Sequence, residues 1–331
     1  MRRRDFVTLF GGAAAMWPLG VCAQQTGNQV RRVGALMVWS EGDVQGEARL
    51  NAFVDKLREL GWSKGRNLSV DVRWTAPNME GIGTAAKELV ALQPELIVAG
   101  ATPAVIALAH ETHSIPIVFV SVSDPIGSGL VTDLAHPGGH ITGFTAFEFS
   151  VGGKWLQTIK EVAPDLSRAG VLFNPATAPY ALNYMKFIET AAAALAVNVS
   201  ELPVGDPTEL ERELKTLAAG QNAGLIVMND IFTASNRETI ISLAAGLRLP
   251  TIYPYRFFAD DGGLISYGAE PIELYQRAAA YADKILRGTK PGDLPVQQPV
   301  KYELVVNLKT ARALGLNVSA SLLARADEVI E

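Results

Sequence analysis

Val33-Gly34-Ala35-Leu36-Met37, near the start of the chain, and Ala169-Gly170-Val171-Leu172-Phe173, in its middle, are two versions of one apolar run. A continuous run without polar alternation reads as a strand buried on both faces of a parallel sheet. Two further pairs keep the same order. Pro94-Glu95-Leu96-Ile97-Val98 is matched by Ala223-Gly224-Leu225-Ile226-Val227, and Ile115-Pro116-Ile117-Val118-Phe119 by Leu249-Pro250-Thr251-Ile252-Tyr253. The separations are 136 (33 to 169), 129 (94 to 223) and 134 positions (115 to 249). Three nearly constant offsets predict two lobes of one topology.

Helical patterns lie between these runs. Leu50, Phe53, Val54, Leu57 and Leu60 fall at helical spacing before Gly61, Leu89 to Leu92 closes a second helix that Pro94 stops, another opens at Pro103, and a long one spans Pro271 to Leu286 before Gly288. Leu68 to Trp74 alternates, as a strand near an edge does. Strand–helix alternation implies an α/β fold with parallel sheets and right-handed crossovers, here in two lobes. Crossings between the lobes are expected at 138–144, 261–267 and 291–295, with a final strand at 300–306. Lobe 1 would then hold residues 30–143 and 264–290, and lobe 2 residues 144–263 and 291–325. Three crossings form a hinge about which lobes can close.

The composition narrows the function. The chain has 331 residues, is 48% hydrophobic and 19% charged, and carries 29 Lys and Arg against 34 Asp and Glu. A net charge of −5 with no basic run after residue 4 argues against nucleic acid as a partner. The single Cys excludes an internal disulfide framework and any multi-Cys metal site.

The first 23 residues read as an export signal: a positive head of Arg2, Arg3 and Arg4, an apolar stretch from Phe6 to Ala15, and a Val21-Cys22-Ala23 end. Arg3-Arg4-Asp5-Phe6-Val7 resembles the twin-arginine type, with an ordinary secretory signal as the alternative. Val21 is a poor neighbour for a lipidated Cys22, so soluble release after Ala23 into the periplasm is expected. Losing three arginines and one aspartate in that segment moves the net charge from −5 to −7.

No dinucleotide fingerprint, P-loop, nucleophile elbow or H-E-x-x-H motif is present in the sequence. His110-Glu111-Thr112-His113 and the His136/His140 pair read as a helix end and a turn. The chain is therefore expected to be no enzyme and to need no cofactor or metal. Polar residues gather instead at the carboxyl ends of the predicted strands, the edge that faces the ligand crevice in open α/β sheets. The candidate ligand-binding residues are Trp39, Ser40, Thr102, Ser121, Ser123, Asp124, Asn174, Tyr180, Asn229, Asp230, Tyr255, Tyr267 and Glu270.

These types suit a zwitterion. Hydroxyls and N–H groups at a helix N-terminus, as at Thr102 and Ser121 to Ser123, hold a carboxylate. Asp230 or Glu270 pairs with an ammonium, and the Trp and Tyr rings wall an apolar side chain. Each residue has a structural alternative. Asp124 and Asp230 also fit as helix N-caps, Tyr267 as packing at the hinge, and Arg256 as either a carboxylate clamp or a surface charge.

Four segments carry a resemblance: Val33-Gly34-x-Leu36, Pro94-Glu95-Leu96-Ile97-Val98-Ala99-x-Ala101-Thr102-Pro103, Ser123-Asp124-Pro125-x-x-x-Gly129-Leu130-Val131 and Pro137-Gly138-Gly139-x-Ile141-Thr142-Gly143. Together with Val171-Leu172-Phe173-Asn174-Pro175 and Leu264-Ile265-Ser266-Tyr267-Gly268, they resemble the periplasmic component of an uncharacterised class of ABC transport systems, which includes tryptophan/phenylalanine-binding lipoproteins. The resemblance covers about residues 31 to 315. It implies a type I periplasmic binding fold, two Rossmann-like lobes with parallel sheets joined by three crossings, that captures an amino acid or related small organic acid and delivers it, as a monomer, to a membrane permease. Ala269-Glu270 and Arg256 stand where relatives often carry Asp or Thr and an acidic residue. An exported sensor module feeding a receptor and a cleft hydrolase are the rival readings, the second weakened by the missing nucleophile motif.

Overall fold

The computed structural model describes residues 30–331. The reading of residues 1–23 as an export signal, Cys22 included, lies outside the described residues. The strands are β1 (Arg31–Met37), β2 (Leu68–Trp74), β3 (Leu96–Gly100), β4 (Ile117–Val122), β5 (Ile141–Thr145), β6 (Arg168–Phe173), β7 (Asn198–Pro203), β8 (Ala223–Val227), β9 (Thr251–Tyr253), β10 (Ile265–Gly268), β11 (Glu303–Asn307) and β12 (Glu328–Ile330). The helices are α1 (Val44–Glu59), α2 (Met79–Ala91), α3 (Thr102–Glu111), α4 (Val151–Val162), α5 (Ala181–Leu195), α6 (Pro207–Ala218), α7 (Ile231–Ser235), α8 (Arg237–Gly246), α9 (Arg256–Asp260), α10 (Pro271–Leu286), α11 (Leu308–Leu314) and α12 (Ala320–Leu323).

Two sheets result. The first has the order β2-β1-β3-β4-β5, and the second runs β12-β11-β10-β9-β8-β6-β7. The stretch β7-β6-β8-β9-β10 repeats the order of the first sheet, so the offsets seen in the sequence are a repeat of topology as well as of composition. The run Val33 to Met37 is fully buried, with α2 packed against β1, which is why it shows no polar alternation. β2, at the edge of the first sheet, is half-buried along its whole length after Leu68 and shows no alternation of burial.

Strand pairing moves every crossing towards the C-terminus of its expected place. β5 completes its ladder with β4 through Thr145, so the chain leaves the first lobe after Thr145. β10, assigned from sequence to lobe 1 within 264–290, pairs instead with β9 and β11 in the second sheet. Only α10 returns to the first lobe, where it packs on α1 and Asp283 accepts the indole N–H of Trp62 at 2.8 Å. The third crossing also comes late. Leu294 and Val296 belong to the first lobe's core, and Gln297 exchanges backbone hydrogen bonds with Gly143 and Thr145 before the chain reaches β11. Composition marks where an apolar run exists, but hydrogen-bond partners decide which sheet takes it.

β11 begins at Glu303 rather than Val300, runs antiparallel to β10, and is followed by β12 at Glu328–Ile330, past the expected end of lobe 2 at 325. The addition of β11 and, parallel to it, β12 is what makes the second sheet seven-stranded rather than five-stranded.

Candidate ligand site between the lobes

The carboxyl ends of β1, β3, β4, β6, β8 and β9 converge on a cavity of about 50 Å³ between the two sheets. The first lobe lines it with Val38, Trp39, Arg49, Gly100, Ala101, Ser121, Pro271 and Tyr275, and the second with Thr177, Tyr180, Asn229, Asp230, Ile231, Ala234 and Tyr255. Six of the thirteen residues singled out from sequence reach it: Trp39, Ser121, Tyr180, Asn229, Asp230 and Tyr255.

Asp230 both caps and lines. It is the N-cap of α7, with Oδ1 accepting from the Phe232 N–H at 3.1 Å and from the Thr177 hydroxyl at 2.6 Å. Its Oδ2 accepts from the Asn174 N–H at 2.9 Å. Asn174 acts here rather than in the cavity: its side chain and carbonyl hold the turn that carries Thr177 to Asp230. Burial pushes the Asp230 carboxyl up to about 6, and the hydrogen bonds from Thr177, Asn174 and Phe232 pull the other way. Beside it the Asn229 Oδ1 is buried with no hydrogen-bond partner among the described residues. Asp230 and Asn229 thus both line the second lobe's wall. The Tyr180 hydroxyl, held out of water and donating to the Asn229 carbonyl at 2.7 Å, fixes the ring beside them.

Arg49 is the counterpart on the first lobe, and sequence reasoning missed it. It lies on α1 among the buried residues Gly46, Leu50, Phe53 and Leu57, and is itself only 5% exposed. Its Nη1 donates to the Gln45 carbonyl at 2.6 Å and to the Gln45 Oε1 at 3.2 Å. The guanidinium carbon sits 4.7 Å from the Trp39 ring centroid and 5.3 Å from that of Phe257. Gly46 makes this approach possible, because a Cβ there would lie 2.8 Å from the Trp39 Cβ. Burial lowers the Arg49 pKa, with Tyr275, Tyr255, Glu270 and Asp43 acting in the opposite sense. Its helical register with Gly46 and Phe53 was the readable signal: a charge on the buried stripe of an amphipathic helix.

Thr177 and Tyr275 were also missed. Tyr275 comes from α10, whose N-terminal turn the second crossing delivers to the cavity. Its hydroxyl fits against Gly100, where a Cβ would collide with it, and burial pushes its pKa up to about 12.

The remaining candidates stand elsewhere. Thr102 is buried behind the cavity, where its hydroxyl accepts from the Ser123 N–H at 3.4 Å, and the Ser123 Oγ accepts from the Asn229 Nδ2 at 2.9 Å across the lobes. Asp124 caps its own loop at Gly127 and accepts from Asn183 of the second lobe at 2.9 Å. Ser40 is exposed beside the N-terminus of α1. Tyr267 stacks on Tyr302 at 5.7 Å, as packing at the hinge, and its carbonyl accepts from Trp155. Glu270 is the N-cap of α10, accepting from the Ile272 N–H at 2.9 Å. Arg256 pairs with Asp260, Glu303 and Glu328, away from the cavity. The positions at which the chain departs from its relatives' pattern therefore do not line the cavity.

Three polar ties join the lobes around this cavity: Ser123–Asn229, Asp124–Asn183, and the ion pair of Asp43 with Arg237 at 3.1 Å. They describe a closed cleft.

Comparison with known proteins agrees with this geometry. The profile of the ABC transporter substrate binding protein family matches residues 35–330. A tyrosine-binding protein of Clostridioides difficile (strain R20291) is 26% identical over 264 residues, 80% of this chain and 75% of that protein. A Streptococcus pneumoniae ABC domain solved in complex with L-Trp superposes with a TM-score of 0.80 at 26% identity, over 90% of this chain and 100% of that one. A ligand-free, open structure of a substrate binding protein with adhesive properties from Clostridium difficile reaches 0.66 at 25% identity, over 91% and 99%. At nearly equal identity and coverage the chain is closer to the liganded relative, as its closed cleft requires. Family members are solute-binding proteins that work outside the cytoplasm and hand small molecules to ABC permeases. With a profile match over nearly its whole described length and a cleft between two lobes of one topology, the chain belongs to the ABC transporter substrate binding protein family.

Proposed function

We propose that the protein captures an amino acid with an apolar or aromatic side chain in the cleft and presents the closed form to its permease, acting as an exported periplasmic monomer without chemistry of its own. The observation that carries this reading is the cavity lining. Acceptor oxygens of Asp230 and Asn229 face an ammonium group, while Trp39, Tyr180, Tyr255 and Tyr275 supply ring walls and Ile231 and Ala234 an apolar floor. A small site with a few placed polar groups on aromatic walls is what recognition of such a molecule requires. The L-Trp complex and the tyrosine-binding relative support the ligand class, and the apolar stretch and Ala23 end of residues 1–23 support export.

Closure follows from differential affinity: the ligand touches both lobes only when they meet, so it favours the state that the permease reads. The test is isothermal titration of the purified mature chain with the twenty amino acids, beside native mass spectrometry of protein purified without refolding. Micromolar or tighter binding of an apolar or aromatic amino acid is expected. A retained sugar or polyamine, with no amino acid bound, would overturn the reading.

A further inference from the structure

Arg49 is a buried cation without a counter-ion: among the described residues it forms no ion pair, and its only hydrogen-bond acceptors are the two oxygens of Gln45. An uncompensated buried charge is among the costliest arrangements a fold can hold, and proteins ordinarily pair such groups. The Trp39 and Phe257 rings shield the guanidinium and attract it weakly, but they carry no negative charge. Two of its neighbours, Asp43 and Glu270, are already engaged. Asp43 caps α1 and pairs with Arg237, and Glu270 caps α10.

We infer that Arg49 is the specificity-determining residue for the ligand's carboxylate, binding it with the donors that Gln45 leaves free and thereby rejecting ligands that lack an anionic group. This inference rests on the proposed amino-acid reading and deepens it by naming the group that holds the second charge. The placement makes the discrimination steep. Trp39 belongs to the first lobe and Phe257 to the second, so closing the cleft brings the second ring over a guanidinium that water reaches in the open form. Closure around a carboxylate exchanges water for an anion. Closure around an amine or a neutral analogue strips the water and returns nothing, and a site left with an unpaired buried polar group discriminates by orders of magnitude.

Arg49 and Asp230 then stand as opposite charges on opposite lobes, each in the same cavity. That pairing selects a molecule carrying both charges, and selects it in one orientation.

The experiment compares L-tryptophan, L-tyrosine and L-phenylalanine with tryptamine, tyramine and phenethylamine, and with indole-3-propionate and 3-phenylpropionate, on wild type, Arg49→Met and Arg49→Lys. Removing the carboxylate from the ligand should weaken wild-type binding at least 100-fold. Arg49→Met should bind the amino acid at least 100-fold more weakly and no longer distinguish it from its amine by more than about threefold. Arg49→Lys should recover part of the discrimination.

The wild-type ligand series needs no variant, so a poorly folded Arg49→Met leaves the comparison intact. If the amines bind wild type as tightly as the amino acids, or if Arg49→Met keeps the discrimination, the assignment of Arg49 falls while the amino-acid reading stands. If only the carboxylic acids bind, in an Arg49-dependent way, Arg49 stands and the amino-acid reading falls. A wild type that binds none of these compounds and none of the apolar amino acids overturns both.

Discussion

The two lobes follow one strand order, yet they end the same strand differently. β3 in the first lobe and β8 in the second occupy the same place, and each runs into a helix at the cavity. In the second lobe that helix, α7, is capped by the Asp230 carboxylate. In the first, α3 follows Ala101 and has no side-chain cap, and Gly100 and Ala101 present its backbone to the cavity. One lobe fills the positive end of its helix with its own anion, and the other leaves it open and adds Arg49 nearby. A repeated fold thus becomes an asymmetric site by exchanging a capping residue, so that one wall is electronegative and the other electropositive.

The strongest way to break that comparison is to remove the second lobe's charge. Asp230→Ala leaves the Thr177 hydroxyl and the N–H groups of Asn174 and Phe232 without their acceptor, so a loss of about 2–4 kcal/mol in stability is expected. Asp230→Asn keeps the shape and part of the capping but not the charge. It should weaken amino-acid binding about 100-fold while lowering stability far less, measured by titration calorimetry beside thermal melting. Wild-type affinity in the Asn variant would mean that the electronegative wall has no part in recognition.

Acidity sharpens the same contrast, with two effects of opposite sign. Because the folded carboxyl titrates at about 6, above the roughly 3.9 of an unfolded chain, ionised Asp230 penalises folding at neutral pH. The penalty fades as pH falls from 6 towards 4, so the ligand-free protein gains this contribution on acidification. Binding runs the other way, because an ammonium needs the carboxylate. Affinity should hold constant above pH 7 and fall by up to about tenfold per unit below 6. Titrations at pH 7.5, 6 and 5 should show that fall in wild type, and Asp230→Asn should flatten it.

Much of this was readable in the chain. The offset runs at Val33 and Ala169, and at Pro94 and Ala223, gave the two sheets because a parallel strand covered on both faces leaves an unbroken apolar signature. Trp39, Ser121, Tyr180, Asn229, Asp230 and Tyr255 were reachable because the crevice lies at strand ends, and strand ends are visible in sequence. Arg49, Thr177 and Tyr275 were not found that way. Arg49 enters from the side of a helix, Thr177 from a turn that Asn174 and Asp230 shape together, and Tyr275 from a helix that a crossing brings back. Their positions depend on how elements pack and not on where a strand stops. Tyr267 and Glu270 failed for the converse reason: polar residues near a crossing were needed for hinge packing and capping.

The ties between lobes allow a smaller test. The Ser123 Oγ accepts from the Asn229 Nδ2 only when the lobes meet, so the bond belongs to the closed state. Ser123→Ala should therefore weaken ligand affinity by roughly fivefold, the equivalent of about 1 kcal/mol, through loss of the closed state. Thermal stability of the ligand-free protein should move little. A large drop in melting temperature without a change in affinity would place Ser123 in the fold of the first lobe and not in closure.

The smallest effect concerns the backbone of the open wall. Of the non-glycine residues with positive φ, Gln93, Ala196, Asn222 and Arg248 lie in turns that lead into strands, on the side away from the cavity. Ala101 (φ 72) and Ser121 (φ 59) are different: both lie at strand ends of the first lobe and both line the cavity. Ala101 has ψ 147, a combination that is nearly exclusive to glycine. The strain sits where the first lobe offers backbone in place of a cap, and the β3–α3 turn holds it there. Ala101→Gly removes the strain but adds freedom to the unfolded chain, and the two terms oppose each other. Relief is the larger at so unfavourable a φ and ψ, so a gain of about 1 kcal/mol in stability is expected in chemical denaturation, with ligand affinity changed less than threefold. Loss of stability would mean that the Ala101 methyl is held by packing that outweighs the strain, and that the open wall depends on a side chain after all.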